Sequence, residues 1–305
     1  MPLQFLARST SLLIVASRSF SRLTALMASP ARPLLRFNAE TESWSALDLA
    51  TFSTAETSPA VTDDGKSTDK SALNTINSAS NGEMQAKRSK TTSNDLRELI
   101  RRHVLPALLD DQVIAIPTDT IYGVAARAQS KAAIAKIYAI KGRDESKPVA
   151  ICVPTLAQVS DYGVCTLDSA TLAKLLPGAV TVVFNRTPKL NPDLNPQTTL
   201  VGIRVPDHTL TKMIVEELGE PLALTSANRS GDPSCVAASE FQALWPELGA
   251  VVDGGKIEGS RAGSTVVDLS QGVDKVYTIV RDGSALALVE AALKEAGWKA
   301  AAAAV

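Results

Sequence analysis

With 305 residues, 45% of them hydrophobic, the chain can bury a sizeable core as one large domain or two small ones. A formal net charge of −1 excludes the uniformly basic surface of a non-specific nucleic-acid binder, while leaving room for a local basic cleft. Three scattered cysteines (Cys152, Cys165, Cys235) and two histidines (His103, His208) give no disulfide framework, no zinc-ligand spacing and a poor basis for a Ser-His hydrolase.

Residues 1–38 read as a mitochondrial targeting presequence. Arg8, Arg18, Arg22, Arg32 and Arg36 occur among many serines, and no acidic residue precedes Glu40. The apolar run SLLIVA competes as a secretory core, but it is short and flanked by arginine on both sides. A start at Met27 would remove much of the presequence, which predicts a cytoplasmic form beside the mitochondrial one. Residues 39–94 are dominated by Ser, Thr, Ala, Asn and Asp, lack apolar surface to offset chain entropy, and read as a disordered linker.

The folded domain is expected over 95–285. Leu96, Leu99, Ile100 and Val104 recur at helical spacing behind Asn94 as a cap. Strands are predicted in QVIAI, PVAICV, AVTVVF, TLVGIRV, PLALT, AVVDGG, STVVDL and VYTIVR, and helices over 131–140, 155–159, 169–176, 210–218 and 237–244. The strands are too dense for a pure βαβ array, so the expected fold is a mixed twisted sheet with flanking helices. Residues 286–305 read as an Ala-rich tail of good helix propensity and no function.

Four stretches carry polar groups where a buried strand would not need them. QVIAI ends in Pro117, Thr118, Asp119 and Thr120 before Tyr122-Gly123, two hydroxyls and a carboxylate at a strand exit. Lys141, Arg143 and Lys147 crowd around Gly142 beyond the 131–140 helix. A cation there complements the helix dipole, but three suit a polyphosphate. Arg204 lies in a strand of Val, Ile and Gly, where a charge is paired, points to solvent at an edge, or receives an anion such as a carboxylate. LTSANRSGDPS gathers Ser226, Asn228, Ser230 and Ser234 after a strand, which is either an ordinary turn or, with PTDT and Gly263-Ser264-Thr265, a ligand-binding sheet end. No G-x-x-x-x-G-K-[ST] and no G-x-G-x-x-G after a strand is present, so a nucleotide site here is of neither common kind.

Taken in order, PTDTIYG, KGRDESKPVAICV, LLPGAVTVVF, VGIRVPD, LTSANRSGDPS, GSTVVD and IVRDG resemble the YrdC-like family, the threonylcarbamoyl-AMP synthases of tRNA modification. The resemblance covers roughly 96–284. It implies an α/β fold, a YrdC-like twisted mixed β-sheet with flanking helices around a cationic cleft, and synthesis of threonylcarbamoyl-AMP from L-threonine, bicarbonate and ATP. Magnesium would accompany the ATP, and the product would pass to a separate threonylcarbamoyl transferase complex, with tRNA contacted only indirectly. Matched position by position, it implies threonine contacts at Thr120, Cys152, Arg204 and Ser264. ATP contacts would fall at Lys141, Arg143, Lys147, Ser226, Ser234 and Arg281, with Lys141 and Arg143 as the catalytic cations and no protein metal ligand. Cys152 stands where some relatives have His, so only a backbone contact is carried over there. The rival readings are an RNA-binding module using the same cleft, against which the 4% aromatic content counts, and a degenerate homologue, against which the intact cation set counts.

Overall fold

The computed structural model describes residues 33–38, 43–48, 93–142 and 147–301. In chain order the strands and helices are β1 (Pro33–Asn38), β2 (Ser43–Asp48), α1 (Ser93–His103), α2 (Leu105–Leu109), β3 (Ile114–Ile116), β4 (Gly123–Arg127) and α3 (Lys131–Lys141). Next come β5 (Ala150–Cys152), α4 (Val159–Tyr162), α5 (Ser169–Leu175), β6 (Val180–Asn185), β7 (Leu200–Arg204), α6 (Thr209–Leu218) and β8 (Leu222–Ser226). After a kinked 3-10 segment, Ala238–Glu247, the chain closes with β9 (Ala250–Asp253), β10 (Thr265–Asp268), β11 (Val276–Arg281), α7 (Leu286–Glu295) and β12 (Lys299–Ala300). These strands lie side by side in the order β12-β11-β10-β6-β7-β5-β8-β4-β3-β9-β1-β2. Pairing is mixed: β3 with β4, β4 with β8 and β6 with β7 are antiparallel, whereas β5 with β7 and β6 with β10 are parallel. The expected mixed α/β sheet with flanking helices is therefore the one observed.

Helix limits follow local chemistry. The Ser130 hydroxyl accepts the Ala133 N–H at 3.3 Å to cap α3, and Gly142, at φ 54°, ends it in the left-handed conformation that favours glycine. Asp168 caps α5 through the Thr171 N–H at 2.9 Å. Helix α1 starts at Ser93, so Asn94 sits in its first turn rather than capping it.

Three elements depart from the sequence reading. Strand β4 is absent from the strands expected from sequence: Gly123 pairs with Ile116 and Ser226, making PTDTIY a hairpin loop. Alanine-rich GVAAR has weak strand propensity, and its burial in the sheet decides its state. A Cβ on Gly123 would stand 2.6 Å from Leu224 Cδ1, so glycine permits the close approach of β4 to β8. Second, β1 lies within the presequence expected over 1–38, at its very end, and β2 falls within the 39–94 segment expected to be disordered. Adjacent Leu34 and Leu35 are both fully buried, one on each face of the sheet, and β1 pairs parallel to β9. Residues 1–32 and 49–92, including Met27 and KRSK, lie outside the described residues. Third, the tail expected at 286–305 supplies α7 and β12, with Val289 and Leu293 fully buried and Trp298 buried beside them. Among the described residues no helix is long and apolar enough to cross a membrane.

Alternation along the strands sorts the core into two faces. On one, Val180, Val182, Phe184, Val201, Ile203 and Val267 join the large apolar cluster that includes Ile137 and Tyr138 of α3. On the other, Ile114, Ile116, Ala125, Cys152, Leu222 and Leu224 pack with Ile100, Leu108 and Ile214 from α1, α2 and α6. Those three helices cover only part of that face. Over β7, β6 and β10 it is left open as a concavity.

Candidate functional site

The uncovered part of the sheet forms a cavity of about 640 Å³. Its floor is the alternate set of strand residues: Leu200, Gly202 and Arg204 from β7, Thr181 and Val183 from β6, Val266 and Asp268 from β10. Gly202 keeps the floor low, since a Cβ there would meet Thr181 Cγ2 at 3.0 Å and Ala150 Cβ at 3.4 Å. The PTDTIY loop, the ends of β5 and β8, Ser264 and Arg281 complete the wall.

Thr118 organises its own loop. Its hydroxyl donates to the Ile121 carbonyl at 2.7 Å and accepts the Thr120 N–H at 3.1 Å, and the Thr118 and Thr120 hydroxyls are 3.1 Å apart. Both threonines are buried and both line the cavity. Asp119, between them, turns its carboxylate to Arg204, whose Nη2 donates to Oδ1 at 2.6 Å, with both side chains less than a tenth exposed. Of this pair, Arg204 Nε and Asp119 Oδ2 are buried without a partner among the described residues. The guanidinium therefore faces the cavity held from behind, with donor capacity to spare.

Beneath it, Cys152 pairs in register with Arg204, is fully buried, and is not part of the cavity wall. Burial pushes its thiol up to about 12. His208, which caps α6, is held below its ordinary pKa chiefly by burial, with the Asp119 charge opposing. Thr211 Oγ1 donates to the Pro117 carbonyl at 2.6 Å, tying α6 to the start of the same loop.

At the other side, Ser264 and Thr181 share a hydrogen bond of 2.7 Å, and Arg281 Nη2 donates to the Ser264 carbonyl at 2.8 Å and to its hydroxyl at 3.1 Å. Lys141 is buried and donates to the Ser226 carbonyl at 2.7 Å and to the Asn228 carbonyl. It thus clamps the TSAN loop after β8 and stands outside the cavity wall, whereas Ser226 is part of the wall. Ser234 also stands outside: its carbonyl accepts Arg261 Nη1 at 2.7 Å, and the same guanidinium draws the Glu240 carboxyl down to about 2. Lys147 is exposed and Arg143 lies outside the described residues.

Of the residues singled out from sequence, Thr120, Arg204, Ser226, Ser264 and Arg281 meet around one cavity, and Cys152 and Lys141 support its wall from behind. Thr181 and Asp268 belong to the wall and were missed. The signal was a lone hydroxyl and a lone carboxylate on the cavity-facing phase of otherwise Val-rich strands. Among the described residues, three of the wall bear a formal charge, Arg204, Arg281 and Asp268, and none is His or Cys. Such a wall can neutralise and position anions and offer hydroxyls, but it brings no protein nucleophile. Among the described residues no group of three or more His, Cys, Asp or Glu side chains gathers as a metal site.

A mixed sheet with flanking helices on part of one face and a cavity lined by two arginines and several hydroxyls on the rest is an α/β architecture. The family model described as "Telomere recombination", covering Sua5, YciO and YrdC proteins, matches residues 106–283, and the chain belongs to this family. It is 47% identical over 190 residues to the threonylcarbamoyl-AMP synthase of Bos taurus, covering 61% of this chain and 68% of that one. Its identity to the protein of the same name from Bacillus subtilis is 34% over 180 residues, 58% of this chain and 51% of that one. The match thus spans about two thirds of the bovine relative and half of the bacterial one. Among solved structures, a variant of P. abyssi Sua5 superposes with a TM-score of 0.55 at 25% identity, over 62% of this chain and 56% of that one. E. coli YciO shares the fold at a TM-score of 0.55 and 23% identity, over 62% of this chain and 90% of that one.

Proposed function

We propose that this chain forms L-threonylcarbamoyl-AMP and pyrophosphate from L-threonine, bicarbonate and ATP, the first step of threonylcarbamoyl-adenosine modification of tRNA. The observation that carries the reading is the cavity wall itself: Arg204 anchored by Asp119, Arg281 on Ser264, and the hydroxyls of Thr120, Thr181 and Ser226, without a nucleophile. Family membership and the relatives named threonylcarbamoyl-AMP synthase support it.

In this reading Arg204 takes the threonine carboxylate as a charge-assisted pair, and Thr120 and Ser264 contact the rest of the amino acid. Cys152, buried and protonated, contributes only backbone. Bicarbonate loses hydroxide to give carbon dioxide, and the threonine nitrogen bonds to its carbon and gives up a proton, which leaves with the hydroxide as water. The resulting carbamate oxygen then attacks the α-phosphorus of ATP, and the bond to pyrophosphate breaks. Lys141, Arg143, Lys147, Ser226, Ser234 and Arg281 serve ATP, Lys141 and Arg143 by neutralising charge and Lys141 also by fixing the loop that presents Ser226. Positioning and charge neutralisation supply the acceleration.

Magnesium fits as an ion carried by the ATP phosphates, because the donor set at the cavity is hydroxyls, guanidinium groups and a single carboxylate. The product passes to a separate transferase complex. The Arg-rich, acid-poor character of residues 1–38 supports a mitochondrial location, with a cytoplasmic form from a start at Met27.

The test is pyrophosphate release from ATP by the full chain with magnesium, with and without L-threonine and bicarbonate. Release requiring both co-substrates supports the synthase. No release, together with salt-sensitive RNA binding by the same preparation, would replace it with the binding-module reading.

A further inference from the structure

We propose that Asp268 is the ribose-reading residue of the site, accepting the 2′- and 3′-hydroxyls of the nucleotide. The inference deepens the synthase reading and rests on it. Three observations lead to it.

First, Asp268 is the one carboxylate of the cavity wall among the described residues. Ser264, Val266 and Asp268 all line the cavity while Thr265 and Val267 are fully buried, as strand alternation requires. Oδ1 accepts the Ser270 N–H at 2.8 Å, which fixes the side chain, and Oδ2 carries no hydrogen bond among the described residues. A carboxylate in this place repels phosphate and calls for a neutral donor.

Second, Val183 and Val266 flank it and Thr278 stands opposite it on β11, so its strand neighbours carry no charge, whereas Arg281 and Ser264 lie toward the opposite end of β10 and β11. Phosphates therefore belong at the arginine end, and an uncharged part of the nucleotide at the Asp268 end.

Third, the span fits. Register places Asp268 opposite Val183 and Val183 opposite Gly202, two strands over and two residues along from Arg204. With strands about 4.8 Å apart and a rise of about 3.3 Å per residue, the separation is about 12 Å. From the threonine carboxylate carbon through carbamate and α-phosphate to a ribose hydroxyl is a path of about ten bonds, roughly 12 Å when extended at about 3.5 Å per three bonds. The exocyclic amine of adenine lies a ring system further on, so the distance selects the sugar over the base.

Kinetics with ATP, 2′-deoxy-ATP and 3′-deoxy-ATP, at saturating threonine and bicarbonate, test the assignment. A hydrogen bond to a charged acceptor predicts that wild type prefers ATP over each deoxy analogue by about 10- to 100-fold in kcat/KM. Asp268→Ala should raise the KM for ATP by a similar factor, leave the KM for threonine unchanged, and bring ATP level with the analogues. Asp268→Asn retains an acceptor for the Ser270 N–H and should show an intermediate preference, which separates loss of the ligand contact from loss of the turn. Wild type that uses all three nucleotides equally would overturn the proposal even if no variant folds. So would an Asp268→Asn or Asp268→Ala enzyme that keeps the full preference for ATP, or one that shifts only its magnesium requirement. If wild type released no threonine-dependent pyrophosphate, the underlying synthase reading would fail instead, a distinct result.

Discussion

Arg204 and Asp119 form a buried pair with surplus hydrogen-bonding capacity on both sides, a state that costs stability unless a ligand completes it. Arg204→Ala should raise the KM for threonine by at least 10-fold and leave the KM for ATP nearly unchanged. It should also destabilise the fold by about 3–5 kcal/mol, because Asp119 is left charged and buried without its partner. Equal effects on both Michaelis constants would sink the carboxylate role. Cys152 makes a second residue-level prediction. Its thiol is raised from 9.0 to about 12 in the folded chain, so the unfolded chain ionises first as pH climbs. Its contribution is fully present below pH 9 and is lost between about 9 and 12. At pH 10.5 that is about 2 kcal/mol, read as the extra alkaline loss of wild type over Cys152→Ala in urea melts. Identical pH profiles would contradict the full burial of this side chain. Sequence made Arg204 legible because a charge among Val, Ile and Gly needs a reason. It did not disclose Asp119 as the partner, since that contact joins residues 85 positions apart across a loop whose hairpin form was itself missed.

At the scale of elements, strands rich in Val and Ile and helices with polar caps were readable, because their local preference agrees with their final state. Strand β4 and helix α7 were not, because alanine hides both periods: GVAAR and LALVEAALKE read as filler until neighbours bury them. The spacing of Leu286, Val289 and Leu293 is nevertheless helical, and two of the three are fully buried. Leu293→Ala should therefore cost about 2–5 kcal/mol in a denaturant melt, as in a core helix, instead of the near-zero effect expected of a solvent-exposed tail. Lys141 belongs to this scale too. Sequence offers it a helix-dipole or polyphosphate role, and the helix carries it into the TSAN loop, where its ammonium donates to the Ser226 and Asn228 carbonyls.

For the molecule as a whole, the first described strand pairs with one made 217 residues later. Leu34 and Leu35 are buried only because β1 lies against β9, and Arg36 Nε meets Asp253 at 3.2 Å. Deleting residues 1–92 should leave threonine-dependent pyrophosphate release intact, since no cavity residue is removed, but lower the melting temperature and promote self-association through the bared edge of β9. Melting and size-exclusion profiles that match those of the full chain would show that the edge needs no cover. The same pairing also sets a clock. Arg36 and Asp253 are 217 residues apart, and ribosomes add about 5–20 residues per second, so β1 waits roughly 10–40 s for its partner strand to exist. Throughout that interval β1 has no β9 to lie against, and Leu34 and Leu35 are open to whatever they meet before the sheet closes.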